Sequence, residues 1–299
     1  MEQVSEQTSG KKNKLPDNET SKKPLKSPKI AVIGTASLDT IHSEVNGERS
    51  TIHTIGGSGL YTALASNASG GRVTLLAPVP DTCTGQFLQV SQMITWKGPQ
   101  IREADMPRLE IIHHGGGRAT LLNADWGAEA SLTPKDLTGS LEEFDVVHIA
   151  ALSSAGKQRE FYHRARELGA KTVTCGTYFR LVKTAPDIVR QLVKECDYFF
   201  MNLNEFQTLF EGKMPEDAYN KALFVTESAG GCSIYSQKEA WKLPAEGVPE
   251  VDPTGAGDTF CGATITSIAA GNDTTDAALE GMCLAAMCVR SPGPQFMLG

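Results

Sequence analysis

Long apolar runs are missing from this chain of 299 residues. No stretch approaches the roughly 18 residues that a membrane-spanning helix needs, and the N-terminus lacks the apolar region of a secretion signal. The seven cysteines form no Cys-x-x-Cys pair and no other metal-ligand spacing. An odd number of cysteines without a framework is typical of reduced thiols. We therefore expect a cytoplasmic protein that is neither secreted nor bound to a membrane.

Large apolar side chains are also scarce in residues 1–29, which are rich in Lys, Ser, Asn and Pro. This composition predicts a disordered tail, because it offers too little apolar surface to bury. The tail carries seven lysines and four acidic residues, whereas the whole chain has a net charge of −7. The remaining chain is therefore acidic and unsuited to a nucleic-acid partner. The tail itself is interpreted as a solvated extension, with a docking or targeting arm as the alternative.

Short apolar runs alternate with helical patterns from residue 30 onward, in a chain whose hydrophobic content is 40%. This alternation predicts an α/β fold with a mostly parallel central sheet, helices on both faces, and a ligand site at the carboxyl ends of the strands. The predicted strands are residues 30–34, 73–77, 146–150, 171–174, 198–201 and 222–226, and the predicted helices are 58–69, 157–168, 187–195 and 204–211.

Two further β-like segments interrupt this alternation, at about residues 40–54 and 108–123. The first contains Asn46-Gly47, a strong two-residue hairpin signal. The second is joined through three consecutive glycines at 115–117. These segments predict either a small separate sheet or an edge hairpin of the main sheet.

A nine-residue string, Asp252 to Phe260, carries the most chemical information. Apolar residues recur after it at helical spacing until Gly271-Asn272, so a helix is expected to begin at its glycines. The first turn of a helix has unpaired N–H groups, and Gly255 and Gly257 allow an anion to approach them. Asp258 in that turn fits a general base. An Asp that complements the helix dipole is the alternative.

The same string resembles the C-terminal signature of the ribokinase/PfkB family of carbohydrate kinases, Asp-Thr/Pro-Thr-Gly-Ala-Gly-Asp-x-Phe. The resemblance implies a ribokinase-like three-layer sandwich at residues 30–299, with the two inserted segments forming a small β-sheet lid. It also implies that Gly255, Ala256 and Gly257 form an anion hole and that Asp258 accepts the proton of the substrate hydroxyl.

For the phosphoryl acceptor, the resemblance implies a site made of Asp39, Gly56, Gly57, Tyr61 and Arg118. A carboxylate at position 39 suits vicinal hydroxyl groups, because it accepts two hydrogen bonds at once. Tyr61 stands where ribokinase and many relatives have Asn, which argues against ribose or fructose 6-phosphate. It is similar to the Tyr form of the plant myo-inositol kinase group, so a cyclitol or another polyol is expected. Arg118 is equally well explained as a solvated loop residue.

For the nucleotide, Asn202 and Glu205 match the family's Asn-x-x-Glu motif, which implies Mg²⁺ bound through water. Helix capping by Asn202 is compatible with that role. Thr226, Ser228 and Gly231 resemble the Thr-x-Gly-x-x-Gly turn beside ATP, although Ser228 replaces a glycine.

The expected function is ATP-dependent phosphorylation of a hydroxyl group on a small sugar, polyol or cyclitol. The alternatives are a nucleoside kinase of the same fold and a catalytically weak, ligand-binding regulatory protein. The sequence leaves open whether a monovalent cation near Asp252 and Thr254 assists the anion hole. It also leaves open whether the protein is a monomer or a homodimer formed through the lid.

Overall fold

The structure is a computed structural model that describes residues 27–45, 48–115, 119–213, 221–236 and 239–298. Most of the predicted tail lies outside these ranges. The predicted hairpin turn at Asn46-Gly47 and the candidate site residue Arg118 also lie outside the described residues.

Fifteen strands are present in the described part of the chain. In order they are β1 Lys29–Ile33, β2 Ser37–Val45, β3 Glu48–Gly56, β4 Arg72–Leu76, β5 Val79–Pro80, β6 Thr95–Lys97, β7 Gln100–Ile101, β8 Arg108–His113, β9 Ala119–Asp125, β10 Val146–Ile149, β11 Val173–Gly176, β12 Tyr198–Asn202, β13 Ala222–Thr226, β14 Cys232–Ser236 and β15 Ala240–Leu243.

Nine of these strands form one large sheet in the order β15-β14-β13-β12-β11-β10-β1-β4-β6. Neighbouring strands are parallel, except at one edge, where β14 pairs antiparallel with both β13 and β15. The predicted mostly parallel sheet is therefore confirmed. Its parallel strands end along one edge, where an open α/β sheet places its ligand site.

The α-helices cover both faces of this sheet. They are α1 Ser58–Ala68, α2 Gly85–Met93, α3 Ala155–Glu167, α4 Phe179–Thr184, α5 Pro186–Glu195, α6 Leu203–Phe210, α7 Ala256–Ala270, α8 Thr274–Cys288 and α9 Gln295–Leu298. Helices α1, α7 and α8 pack together on one face, and α3, α4, α5 and α6 lie on the other. Each face has its own cluster of buried apolar residues, as expected of a three-layer sandwich.

The two inserted segments form a separate four-stranded sheet in the order β3-β2-β8-β9. We call it the small sheet. Strand β2 pairs antiparallel with β3 and parallel with β8, and the register aligns Asp39 with Leu109, Ile41 with Ile111 and Ser43 with His113. The alternative of an edge hairpin of the main sheet is therefore wrong.

No helix in the described ranges is long and apolar enough to cross a membrane.

Candidate functional site

The helix predicted after the glycines is α7, and its start is set by backbone geometry. Gly255 is the N-cap residue, with φ 73° in the left-handed region that favours glycine. Ala256 N–H donates to the carbonyl of Pro253 (3.2 Å) and Thr259 N–H donates to the carbonyl of Gly255 (2.8 Å). Between them, the N–H groups of Gly257 and Asp258 have no acceptor among the described residues. The first turn of α7 therefore presents two unpaired donors and the positive end of a 15-residue helix.

Asp258 stands in this first turn and is partly buried. Its carboxylate has no hydrogen-bond partner within the described part of the chain. Burial raises its pKa from 3.8 to about 7. A carboxyl group with this pKa accepts a proton readily near neutral pH.

Helix α1 packs closely against α7 and holds its first turns through two hydrogen bonds. Thr62 donates its hydroxyl to the carbonyl of Asp258 (3.3 Å), and Ser66 donates to the carbonyl of Gly262 (3.0 Å). Tyr61, on the same helix, is only 1% exposed, and its ring lies where a Cβ at position 255 would stand. Any residue with a Cβ at position 255 would therefore overlap the Tyr61 ring unless the loop moved.

The Tyr61 hydroxyl is buried and has no hydrogen-bond partner among the described residues. Its pKa lies well above 10, because burial disfavours the phenolate and because Cys288, Asp252, Asp39 and Asp258 all act in the same direction. An unpaired donor within reach of several acidic groups is a candidate contact for a bound hydroxyl compound.

Asp39 lies on β2, on the face of the small sheet that meets the main body. It is buried and accepts a hydrogen bond from Ser37 Oγ (2.6 Å). A Cβ at Gly56, on the neighbouring strand, would overlap its carboxylate, and Gly57 follows with φ 99° as the N-cap of α1. Burial raises the Asp39 pKa to about 7; Ser37 opposes the shift and Asp252 adds to it. The structure thus brings Asp39, Gly56, Gly57 and Tyr61 together.

His113 is a residue of this site that sequence reasoning missed. It ends β8 on the same face as Asp39, and its Nε2 lies 2.8 Å from the hydroxyl of Thr254 and 3.5 Å from a carboxylate oxygen of Asp252. Burial lowers the pKa of His113; Asp252 and Glu250 oppose this shift, and His114 adds to it. No motif marks His113, because Thr254 lies 141 residues further along the chain.

Asn202 and Glu205 lie where β12 ends and α6 begins. They form a capping box: Glu205 N–H donates to Asn202 Oδ1 (2.9 Å), and Asn202 donates its N–H and its side-chain amide to the Glu205 carboxylate (2.8 and 2.7 Å). Burial raises the Glu205 pKa to about 8; the Asn202 and Phe179 hydrogen bonds oppose this, and Asp258 contributes to it. The negative charge of Asp258 therefore disfavours ionisation of Glu205.

The predicted nucleotide turn follows β13, the next strand of the sheet, where the register pairs Asn202 with Thr226. Ser228 begins a single 3₁₀ turn and has φ 49°, in the left-handed region. Gly231 ends the turn with φ 97°. The backbone thus explains why glycine is usual at position 228, since a Cβ is disfavoured there.

We expect Ser228→Gly to raise the free energy of unfolding by about 0.5 kcal/mol. Relief of the left-handed strain, about 1 to 2 kcal/mol, outweighs the extra entropy of an unfolded glycine, about 0.5 to 1 kcal/mol. Urea titration measures the change. The matched control is Ala229→Gly, where φ is not positive and where only the entropic loss applies. Equal losses of stability in both variants would contradict the strain at Ser228.

Comparison with known proteins places the chain in a family. The sequence profile described as "pfkB family carbohydrate kinase" matches residues 27–298. The chain therefore belongs to this family of carbohydrate kinases. Its members are phosphotransferases with alcohol acceptors that use ATP and Mg²⁺. The protein is accordingly a sugar or nucleoside kinase of the ribokinase type.

Individual relatives differ in the acceptor that their names state. The cytidine kinase of Thermococcus kodakarensis is 24% identical over 81% of this chain and 89% of its own. The inositol 3-kinase of Arabidopsis thaliana is 39% identical over 25% of this chain and 21% of its own. Among solved structures, the nucleoside kinase of Methanocaldococcus jannaschii has a TM-score of 0.76 at 23% identity, covering 89% of this chain and 93% of its own. This last likeness shows the fold alone.

Proposed function

We propose that this protein transfers the γ-phosphoryl group of ATP to a hydroxyl group of a small sugar, polyol or cyclitol, with Asp258 as the base. The observation that carries the proposal is the first turn of α7. It combines two unpaired N–H donors with a carboxylate that has no hydrogen-bond partner in the described ranges and whose pKa is about 7. Phosphoryl transfer needs an anion site and a base close together, and this turn offers both.

In this proposal Asp258 accepts the proton of the acceptor hydroxyl while the hydroxyl oxygen bonds to the γ-phosphorus of ATP; the bond from that phosphorus to the bridging oxygen breaks, and ADP leaves. Of the predicted anion hole, the Ala256 N–H already donates to a backbone carbonyl. The N–H groups of Gly257 and Asp258 and the helix dipole are therefore proposed to stabilise the negative charge on the transferred group. The remaining work is positioning, since the transition state of phosphoryl transfer requires little covalent help from the protein. The Asp39 carboxylate accepts hydrogen bonds from neighbouring hydroxyl groups of the acceptor and so orients it.

Asn202 and Glu205 are proposed to hold Mg²⁺ through water. Both Glu205 oxygens already accept hydrogen bonds from Asn202, so the pair fits indirect binding better than direct coordination. A buried carboxyl group with a pKa of about 8 also gains from a nearby cation, which favours its charged form. When bound, Mg²⁺ neutralises charge on the phosphates.

We expect Glu205→Gln to raise the Mg²⁺ concentration required for the half-maximal rate. The glutamine is neutral and no longer attracts the hydrated cation. Because the same change weakens the capping box, the melting temperature is measured in parallel; loss of a cap costs about 1 kcal/mol. A lower melting temperature with an unchanged Mg²⁺ titration would leave Glu205 as a helix cap only.

The acceptor is proposed to be a ring with several hydroxyl groups. The face of the small sheet that carries Asp39 also carries Ile41 and Ile111, which the register places side by side. An apolar wall beside a carboxylate suits a carbon ring whose edge bears hydroxyl groups. The Tyr61 hydroxyl, unpaired in the described structure, supplies one further donor. The match to an inositol kinase supports a cyclitol.

We expect Tyr61→Phe to weaken acceptor binding by about 0.5 to 1.5 kcal/mol, the net value of one neutral hydrogen bond. The variant keeps the ring that packs under Gly255, so the fold is preserved. Calorimetric titration with the acceptor and, separately, with ATP measures the two affinities. A change in ATP affinity with an unchanged acceptor affinity would remove Tyr61 from the acceptor site.

A nucleoside acceptor is the second candidate. The same apolar wall fits a base, and sequence relatives with 24% and 25% identity are named cytidine kinase and nucleoside kinase. A regulatory protein without turnover is the third candidate, and the intact string from Gly255 to Asp258 argues against it.

An ATP-consumption screen against cyclitols, sugars, polyols and nucleosides tests the proposal. Turnover with one cyclitol or sugar and none with nucleosides would support it. Turnover with nucleosides alone would replace the acceptor class. ATP binding without turnover on any acceptor would favour the regulatory protein.

A further inference from the structure

The carboxylate of Asp252, three residues before Gly255, is surrounded by hydrogen-bond donors. One oxygen accepts from Thr254 N–H (2.9 Å), and the other accepts from Gly293 N–H (2.7 Å). His113 Nε2 lies 3.5 Å from the first oxygen. Because a carboxylate only accepts hydrogen bonds, the arrangement that suits both partners of His113 has the proton on Nε2.

The neighbouring carbonyl groups are engaged as well. The carbonyl of Thr254 accepts from the Cys288 thiol (3.6 Å). The carbonyl of Val289 accepts from two N–H groups, those of Val251 (2.7 Å) and Asp252 (3.1 Å). These two carbonyl groups therefore already accept hydrogen bonds.

A monovalent cation needs the opposite surroundings. Alkali cations are held by oxygen atoms that direct free lone pairs at them, and an N–H group directed at the same point repels them. Two N–H groups donate to Asp252 and the His113 imidazole lies beside it, so the residues present fit a carboxylate held by internal partners. They do not fit a carboxylate that is free to bind a cation.

His113 differs from the other two donors because it comes from the small sheet. Thr254 and Gly293 belong to loops of the main body, whereas His113 ends β8. Both His113 and Asp252 are almost fully buried, at 2% and 3% exposure. The contact therefore joins the small sheet directly to the loop that carries the anion hole.

We propose that His113 holds the Asp252–Thr254 loop in the place of an activating monovalent cation, so that contact with the small sheet organises the anion hole and turnover does not depend on K⁺. His113 is thus a positioning residue. This inference rests on the proposed kinase function. It assigns the ordering of the Asp252–Thr254 loop to a side chain that belongs to the small sheet.

The test compares the wild type with His113→Leu and His113→Gln. Rates and melting temperatures are measured in potassium, sodium and tetramethylammonium chloride at one ionic strength. The wild type is expected to show the same rate in all three salts, within about twofold. In His113→Leu, kcat is expected to fall about tenfold with little change in the KM for ATP, because the lost hydrogen bond orders the loop and does not bind nucleotide. Loss of the Nε2–H donor to the loop should also make this variant sensitive to K⁺.

The conservative variant separates hydrogen bonding from filling of space. The amide nitrogen of a glutamine reaches close to the position of Nε2, so His113→Gln should recover most of the lost kcat, whereas leucine fills the space without a donor. A wild-type rate about tenfold higher in K⁺ than in tetramethylammonium would overturn the proposal. An His113→Leu variant with a lower melting temperature and wild-type kcat would also overturn it, since His113 would then be structural only.

The melting temperatures keep this test independent of the acceptor. If no compound is phosphorylated, the kinase proposal fails, and the cation question is still decided. A melting temperature of the wild type that rises with K⁺ would then overturn the role of His113. A rise with K⁺ in His113→Leu but not in the wild type would support it.

Discussion

Asp258→Asn is expected to lower turnover by about 10² to 10⁴, which is the usual contribution of a positioned general base, while ATP affinity stays close to that of the wild type. The amide has nearly the shape of the carboxyl group but does not accept the hydroxyl proton. The N–H donors of the first turn of α7 remain in place, so phosphate binding is preserved. Initial rates with the identified acceptor and ATP titrations of both proteins measure the two effects.

The pH dependence of the wild type provides the control. Asp258 acts as a base only when ionised, so kcat/KM should rise with pH through about 7, the pKa of the buried carboxyl group. The rising limb should disappear in Asp258→Asn. Undiminished turnover of this variant would exclude Asp258 as the base, whatever the pH profile.

As the pH rises, the contribution of Asp258 to stability should fall while its contribution to activity rises. The folded-state pKa of Asp258, about 7, lies above the ordinary value of 3.8, so the folded protein binds this proton more tightly than the unfolded chain does. Ionising the group therefore costs stability progressively as the pH rises from about 4 to above 7. Asp258→Asn avoids that cost, so its melting temperature relative to the wild type should be higher at pH 8 than at pH 5. The base would then be retained for catalysis at the expense of stability.

The layered fold was predictable because its strands are short apolar runs between helical segments. All six predicted strands are present, with ends displaced by at most two residues. The largest displacement is in β11, predicted at 171–174 and found at Val173–Gly176, because its pairing with β12 begins at Thr174. Helices α2, α4, α8 and α9 were missed, and α8 is the longest of them. The sequence of α8 is rich in Ala, Met and Cys and has no broad polar face, so it lacks the periodicity of a surface helix.

The candidate site was predictable only where it is local in sequence. The glycines and Asp258 form one turn, and Asn202 and Glu205 form one capping box, so their arrangement follows from short-range geometry. The contacts of Tyr61 with Gly255 and of His113 with Thr254 join distant segments of the chain. Such contacts depend on how α1 and the small sheet pack against the loop before α7, which no local pattern encodes.

Gly255→Ala is expected to cost about 2 to 5 kcal/mol of folding free energy, from two independent causes. A residue with a Cβ is disfavoured at φ 73° by about 1 to 2 kcal/mol. The new methyl group would also overlap the buried ring of Tyr61, and forcing extra atoms into a packed site costs about 1 to 3 kcal/mol. Relief requires the loop to move away from the ring, which displaces the first turn of α7. Turnover should therefore fall together with the melting temperature.

Gly257→Ala is the matched control, two residues further along the same turn. Its φ is not positive, and a Cβ at this position would meet no protein atom within 4 Å. The methyl group would instead stand on the exposed side, where the phosphoryl group approaches the N–H donors. Gly257→Ala should therefore melt at or slightly above the wild-type temperature and still lose turnover. Comparable falls in melting temperature for the two alanine variants would contradict the assignment of steric contact to position 255 and anion access to position 257.

A double variant, Gly255→Ala with Tyr61→Ala, separates the two causes of destabilisation at position 255. Removing the Tyr61 ring should relieve the overlap but not the backbone strain. The two substitutions together should therefore be less destabilising than the sum of their separate effects.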